Sequence, residues 1–217
     1  MHTYCLQISP SWNTFDSELI KHISTSRLEK ASKYIHPIDQ KLCIYAELVT
    51  RMGINQITGL PTNELVFSTK NNCKPQLLSS PYCHFNFSHT RNFIISCISL
   101  SGSVGADVEK IQSAPLYLLD DICHPEEIQY ILNGSFEQQN LRFYQIWTQK
   151  EAYTKQLGIG LVENLPAINT LCPSISSLLY TWSQNDYMCC ICCELYTQSQ
   201  IIKLCEKDIY YFFANTY

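Results

Sequence analysis

No stretch of the chain approaches the roughly 20 consecutive apolar residues needed to cross a bilayer. Even the most apolar segment, FIISCISL at 93–100, is interrupted by serines, so a membrane-spanning helix is excluded. Charged residues make up only 16% of the 217, and the formal net charge is −4. The chain therefore has no global attraction for nucleic acid, and any site for a polyanion must be local. Neither G-x-x-x-x-G-K-[ST] nor G-x-G-x-x-G occurs, which removes the standard phosphate-cradling loops. The opening MHTYCLQISPSW has no basic region followed by a long apolar one; no export signal is expected, and the expected compartment is the cytoplasm. Low-complexity tracts, long linkers and internal repeats are absent as well.

What is present is a folding composition. Apolar residues account for 46% and aromatics for 12%, far from the low hydrophobicity of disordered chains. The length allows one large domain or two small ones. Twelve cysteines stand out. Without an export signal they are expected to be reduced thiols serving as small apolar residues. YMCCICCEL at 187–195 contains C-x-x-C twice, but it reads as a buried strand in which residues three apart point to opposite faces. Zinc is not expected there.

Strands are predicted at 3–8, 65–69, 84–90, 93–100, 103–111, 178–183, 187–195 and 209–213. Helices are predicted at 17–23, 26–34, 39–57, 125–132 and 136–157. The third of these carries Leu42, Tyr45, Ala46, Leu48, Val49 and Met52 at core-facing spacings and stops near Gly59; the last is closed by Gly158. Strands flank one long helix in each half, a pattern of α+β class with antiparallel sheets.

Three groups of residues could carry chemistry. Asp107 and Glu109 lie two apart on a predicted strand, so both carboxylates share one face with Cα atoms about 7 Å apart. Like charges so placed call for a cation, and Mg²⁺ suits all-oxygen ligands; the pair also suits an exposed face with two solvated acids. Glu151 and Lys155 are four apart on a helix and so lie side by side, as a third ligand and a phosphate-facing cation or as an ordinary surface pair. Finally, Lys74-Pro75 precedes Phe85-Asn86-Phe87-Ser88-His89-Thr90-Arg91, a cluster of donors suited to a phosphate. Arg27, Lys30 and Lys33 add positive charge at helical spacing, which equally describes a solvated face.

In order and spacing, Lys74-Pro75, FNFSHT at 85–90, GADVE at 105–109 and WTQKEAYTKQLGIGL at 147–161 resemble the motifs of the Sfp-type 4′-phosphopantetheinyl transferases. The likeness spans roughly 22–195, with Ala106 as a departure where the family places a larger aliphatic residue. The resemblance implies two similar α+β halves, 1–104 and 105–217, each a small antiparallel sheet packed on a long helix and related by a pseudo-twofold. Coenzyme A would bind between them. It implies Mg²⁺ on Asp107, Glu109 and Glu151. It places Arg27, Lys30, Ser88 and His89 at the 3′-phosphate, and Lys74 and Pro75 at the adenine. Glu151 would serve as proton acceptor and Lys155 as the cation on the leaving phosphate. Glu127, or Glu126 beside it, matches a further carboxylate near the metal. The implied partner is an apo acyl or peptidyl carrier protein, without nucleic acid or membrane, and the implied state is a monomer. Charge alone points to Lys110, Lys150 and Arg142 as contacts for an acidic carrier helix.

Overall fold

The computed structural model describes residues 1–68, 74–160, 164–195 and 199–215. The first half contains β1 (His2–Gln7), α1 (Thr14–Leu19), α2 (Thr25–Ala31), α3 (Pro37–Thr58), β2 (Phe67–Ser68), β3 (Gln76–Leu77), β4 (His84–Thr90) and β5 (Phe93–Ser99). The second contains β6 (Val104–Lys110), α4 (Leu119–Ile122), α5 (Pro125–Leu132), α6 (Phe136–Leu157), α7 (Pro173–Ser176), β7 (Leu179–Gln184), β8 (Tyr187–Cys193), β9 (Gln200–Leu204) and α8 (Glu206–Ala214). The class is α+β. Thr69, the last residue of one predicted strand, and Leu161, the last of the long motif, lie outside the described residues. Among the described residues no helix is long and apolar enough to cross a membrane.

Local chemistry sets the helix limits. Asn13 and Ser24 accept from backbone amides to cap α1 and α2, while Ser135 opens α6 with a reciprocal capping box. The two long helices, α3 and α6, each end on a glycine with left-handed backbone, Gly59 and Gly158.

The first sheet has the order β4-β5-β1-β9 and the second β6-β8-β7. Alternation along the strands stacks them between the two long helices. Tyr4, Leu6, Ile94 and Ile98 turn towards α3, packing with Tyr45, Leu48, Val49 and Met52. Their neighbours Cys5, Phe93, Ile95 and Cys97 face Val104, Ala106, Val108, Cys189 and Ile191 of the second sheet. Cys190 and Cys192, on the far side of β8, meet Ala152 of α6. The cysteine-rich strand thus serves both layers with small apolar side chains. Every described cysteine is a free thiol.

Two expectations are corrected. The segment 209–213 is part of a helix rather than a strand. IYYFF has strand-like aromatics, but Ile209 and Phe213 are one helical turn apart and are buried together in the α3 core. The actual last strand, β9, comes earlier and runs parallel to β1, with His2 opposite Gln200. The first sheet is therefore mixed rather than wholly antiparallel, and residues 200–214 complete the layer built by residues 2–99.

Candidate functional site

Where the two sheets meet, β4 and β6 run alongside each other, fastened by side chains. Asn86, Ser88 and Thr90 alternate along one face of β4. The Asn86 side-chain oxygen Oδ1 accepts from the Ala106 amide at 2.9 Å. The Ser88 hydroxyl donates to Asp107 Oδ1 at 2.9 Å, and the Thr90 hydroxyl donates to Glu109 Oε2 at 3.2 Å. The FN-x-S-H-T pattern is thus a register device that sets β4 against the two acids of β6.

The opposite approach comes from α6. Gly105 faces that helix so closely that an added Cβ would lie 1.9 Å from the Ala152 carbonyl oxygen and 2.5 Å from the Gln156 nitrogen. Asp107 and Glu109, on the same face of β6, therefore sit beneath the turn of α6 that carries Glu151 and Lys155. Lys155 Nζ is 2.6 Å from Asp107 Oδ1 and 3.7 Å from Glu151 Oε2, and 3.3 Å from the Ser88 hydroxyl. The ammonium bridges a strand acid and a helix acid.

These acids are electrostatically crowded. Burial, and next the charge of Asp107, push Glu109 above the usual carboxylate range, against the hydrogen bonds from Thr90 and Trp147. Burial also raises Glu151, with Asp107 adding to it and Lys155 opposing. Asp107 Oδ2 and Glu151 Oε1 are buried oxygens with no hydrogen-bond partner among the described residues. By proximity alone, no trio of His, Cys, Asp or Glu among the described residues forms a ready metal cage; Lys155 supplies the positive charge between Asp107 and Glu151.

His89 alternates to the other side of β4 from Ser88. Burial first, then the charges of Arg27, Lys30 and Lys155, push its imidazole down from 6.5 to about 4. The three cations thus lie within electrostatic reach of one ring. Between pH 6.5 and about 4 the unfolded chain takes up a proton that folded His89 refuses, so stability falls as pH drops through that window. Thermal denaturation should show His89→Gln losing part of this slope, a part of up to about 1.4 kcal/mol per pH unit.

Lys74 and Pro75 lie apart from the acids. They line a cavity of about 410 Å³ together with Leu78, Pro81, Phe85 and Ser103. Lys74 Nζ donates to the Ser103 hydroxyl at 2.9 Å and to the Val104 carbonyl, and burial lowers its pKa to about 8. Ser103 in turn donates to the Gln156 carbonyl at 2.7 Å, which joins this cavity to the end of α6.

Two expectations fail at the periphery of the site. Glu127 is fully buried and its oxygens are taken: Oε1 accepts from the Thr170 amide and hydroxyl, and Oε2 accepts from the His124 amide and pairs with Lys150 at 2.8 Å. Glu126 is exposed and bonded to Asn169. Lys150 is itself fully buried and cannot touch a carrier protein; Arg142 is only half-buried, bonded to the Tyr130 carbonyl and lying over its ring. The Glu127–Lys150 pair ties α5 to α6 directly beside Glu151. Glu127→Ala would leave an uncompensated buried ammonium and should cost about 3–5 kcal/mol in chemical denaturation.

Known proteins resemble this chain over most of its length. A family model described as the 4′-phosphopantetheinyl transferase superfamily matches residues 103–205, and one described as 4′-phosphopantetheinyl transferase, N-terminal, matches residues 8–99. The chain is similar to the 4′-phosphopantetheinyl transferase psf-1 of Bacillus pumilus, 28% identical over 144 residues, covering 66% of this chain and 61% of that one. It is likewise similar to Sfp of Bacillus subtilis strain 168, 28% over 146 residues, covering 67% and 65%. To HetI of a Nostoc species it is 23% identical over 154 residues, covering 67% and 64%. The match thus spans somewhat less than two thirds of these relatives' length.

Proposed function

Since the chain belongs to the 4′-phosphopantetheinyl transferase superfamily, we propose that it is a transferase moving the phosphopantetheine arm of coenzyme A onto a serine hydroxyl of an apo carrier protein, with release of 3′,5′-ADP and with Mg²⁺ as cofactor. The observation that carries this reading is Lys155 of α6 bridging Asp107 of β6 and Glu151, with Glu109 two residues on along the same face of β6. We read the halves 1–104 and 105–217 as related by a pseudo-twofold, with coenzyme A between them, and the protein as a cytoplasmic monomer.

The residues present fit Mg²⁺. Asp107, Glu109 and Glu151 offer only carboxylate oxygens, the donors this ion prefers, and the buried unpartnered Asp107 Oδ2 and Glu151 Oε1 are acceptors suited to a cation. When bound, the ion supplies neutralisation of charge on the pyrophosphate. The rest of the work falls to the chain. Arg27, Lys30, Ser88 and His89 hold the 3′-phosphate, and its charge favours the protonated imidazole that burial and the neighbouring cations disfavour. The Lys74 ammonium is spent on Ser103 and Val104, so its stem and Pro75 form an apolar wall for the adenine. Glu151, on the α6 side of the cluster, is the carboxylate we assign to take a proton from the attacking serine, directly or through water. Lys155 stabilises the charge that develops on the leaving phosphate. Positioning and electrostatics dominate this type of transfer.

The test is incubation with coenzyme A, Mg²⁺ and a panel of apo carriers from fatty-acid, polyketide and nonribosomal-peptide synthesis, read by intact-protein mass spectrometry. A gain of one phosphopantetheine group on any carrier supports the reading. A panel unmodified throughout counts against it.

A further inference from the structure

Glu47 of α3 is buried, 4% exposed, and lies among cations. Its Oε2 accepts from Arg27 Nε at 3.2 Å and from the Ser24 hydroxyl at 3.0 Å. Its Oε1 accepts from the Ser24 amide at 2.8 Å and from Arg51, with both Nε and Nη2 at 2.7 Å. Two carboxylate oxygens so occupied have no capacity left for a ligand. Burial opposes the negative charge, but Arg51, the Ser24 amide and Arg27 outweigh it and hold the carboxyl below its ordinary range. Glu47 is therefore a fixed anion.

What it fixes is the approach to His89. Ser24 is the N-cap of α2, and its hydroxyl also accepts from the Arg27 amide at 3.2 Å. Holding the Ser24 amide and hydroxyl sets where α2 begins and how it is turned. The bond to Arg27 Nε sets the plane of the guanidinium, which lies 4.9 Å over the Phe87 ring with Nη1 3.7 Å from Cys43 Sγ. Among the described residues no protein group engages Arg27 Nη2, so a charged donor is left over. Lys30 follows Arg27 by one turn of the same helix. On its other side Glu47 is braced by Arg51, whose Nη1 donates to the Thr62 and Leu65 carbonyls at 2.7 and 3.1 Å.

We infer that Glu47 is a positioning residue for the phosphate subsite, orienting Arg27 directly and Lys30 through the start of α2. The inference rests on the transferase reading, in which that cluster meets the 3′-phosphate of coenzyme A. It goes beyond it by assigning the selectivity for that phosphate in part to an acid that never touches it.

The experiment compares coenzyme A with 3′-dephospho-coenzyme A as donors for wild type, Glu47→Gln, Arg27→Ala and the double variant. Glu47→Gln should raise KM for coenzyme A about ten-fold with kcat nearly unchanged, the loss expected for one charge-assisted contact. With the dephospho donor its KM should match wild type, and in the Arg27→Ala background the substitution should add only the smaller loss that reaches the phosphate through Lys30. Glu47→Asp, which retains the charge on a shorter arm, should fall between wild type and Glu47→Gln, and it carries the comparison if the glutamine variant does not fold. Equal changes with both donors, or no change with coenzyme A, would overturn the inference while leaving the transferase reading standing. A wild-type protein inactive with both donors would overturn both.

Discussion

Asp107→Asn is expected to lower carrier modification about a thousand-fold, the scale seen when preorganised charge is removed from a transfer site, without unfolding the protein. The side chain keeps its shape, and its neighbours remain Ser88 at 2.9 Å and Lys155 at 2.6 Å. What disappears is the negative charge that Lys155 balances and that raises the proton affinity of Glu109 and Glu151. Both carboxyls should consequently titrate lower in the variant, which carbon-detected NMR can follow. The combination of lost transfer, retained fold and lowered glutamate pKa distinguishes an electrostatic role from a packing one. An active Asp107→Asn protein would remove the acid cluster from the chemistry.

Gly105→Ala should act on the same site from a different direction. The new methyl would need the space held by the Ala152 carbonyl, a backbone atom that cannot swing aside as a side chain could. Helix α6 must then move off β6, carrying Glu151 and Lys155 away from Asp107. Overpacking of this kind costs about 1–3 kcal/mol, and the displaced helix should also cost most of the transfer activity, since small misplacements in such sites are expensive. Denaturation and mass spectrometry on the same preparation would measure both losses; unchanged stability would refute the close approach.

Much of this arrangement was legible in the sequence because it is written in local periodicity. The i, i+4 pair of Glu151 and Lys155 and the i, i+2 pair of Asp107 and Glu109 follow from helix and strand geometry alone. So does the reading of YMCCICCEL as a strand rather than a zinc knuckle. What local pattern could not supply was pairing across the fold. The serine and threonine of FNFSHT read as phosphate donors, yet each also holds a carboxylate of β6, a contact that depends on β4 lying against β6. The alternation of Asn86, Ser88 and Thr90 was the available signal. Lys150 looked like a surface cation because nothing nearby in sequence announces Glu127 as its buried partner. The 209–213 error came from aromatic content outweighing the spacing of Ile209 and Phe213.

The placement of β9 beside β1 has a bearing on how the protein is made. Strand β1 is synthesised well before β9, so one of its long edges stays open until residues 200–204 have been made. Until then the nascent chain presents unpaired amides and carbonyls, the template for association with other chains. Neither fragment produced by cutting at 104/105 should fold alone in full, and co-expressing the two should restore solubility that each lacks separately.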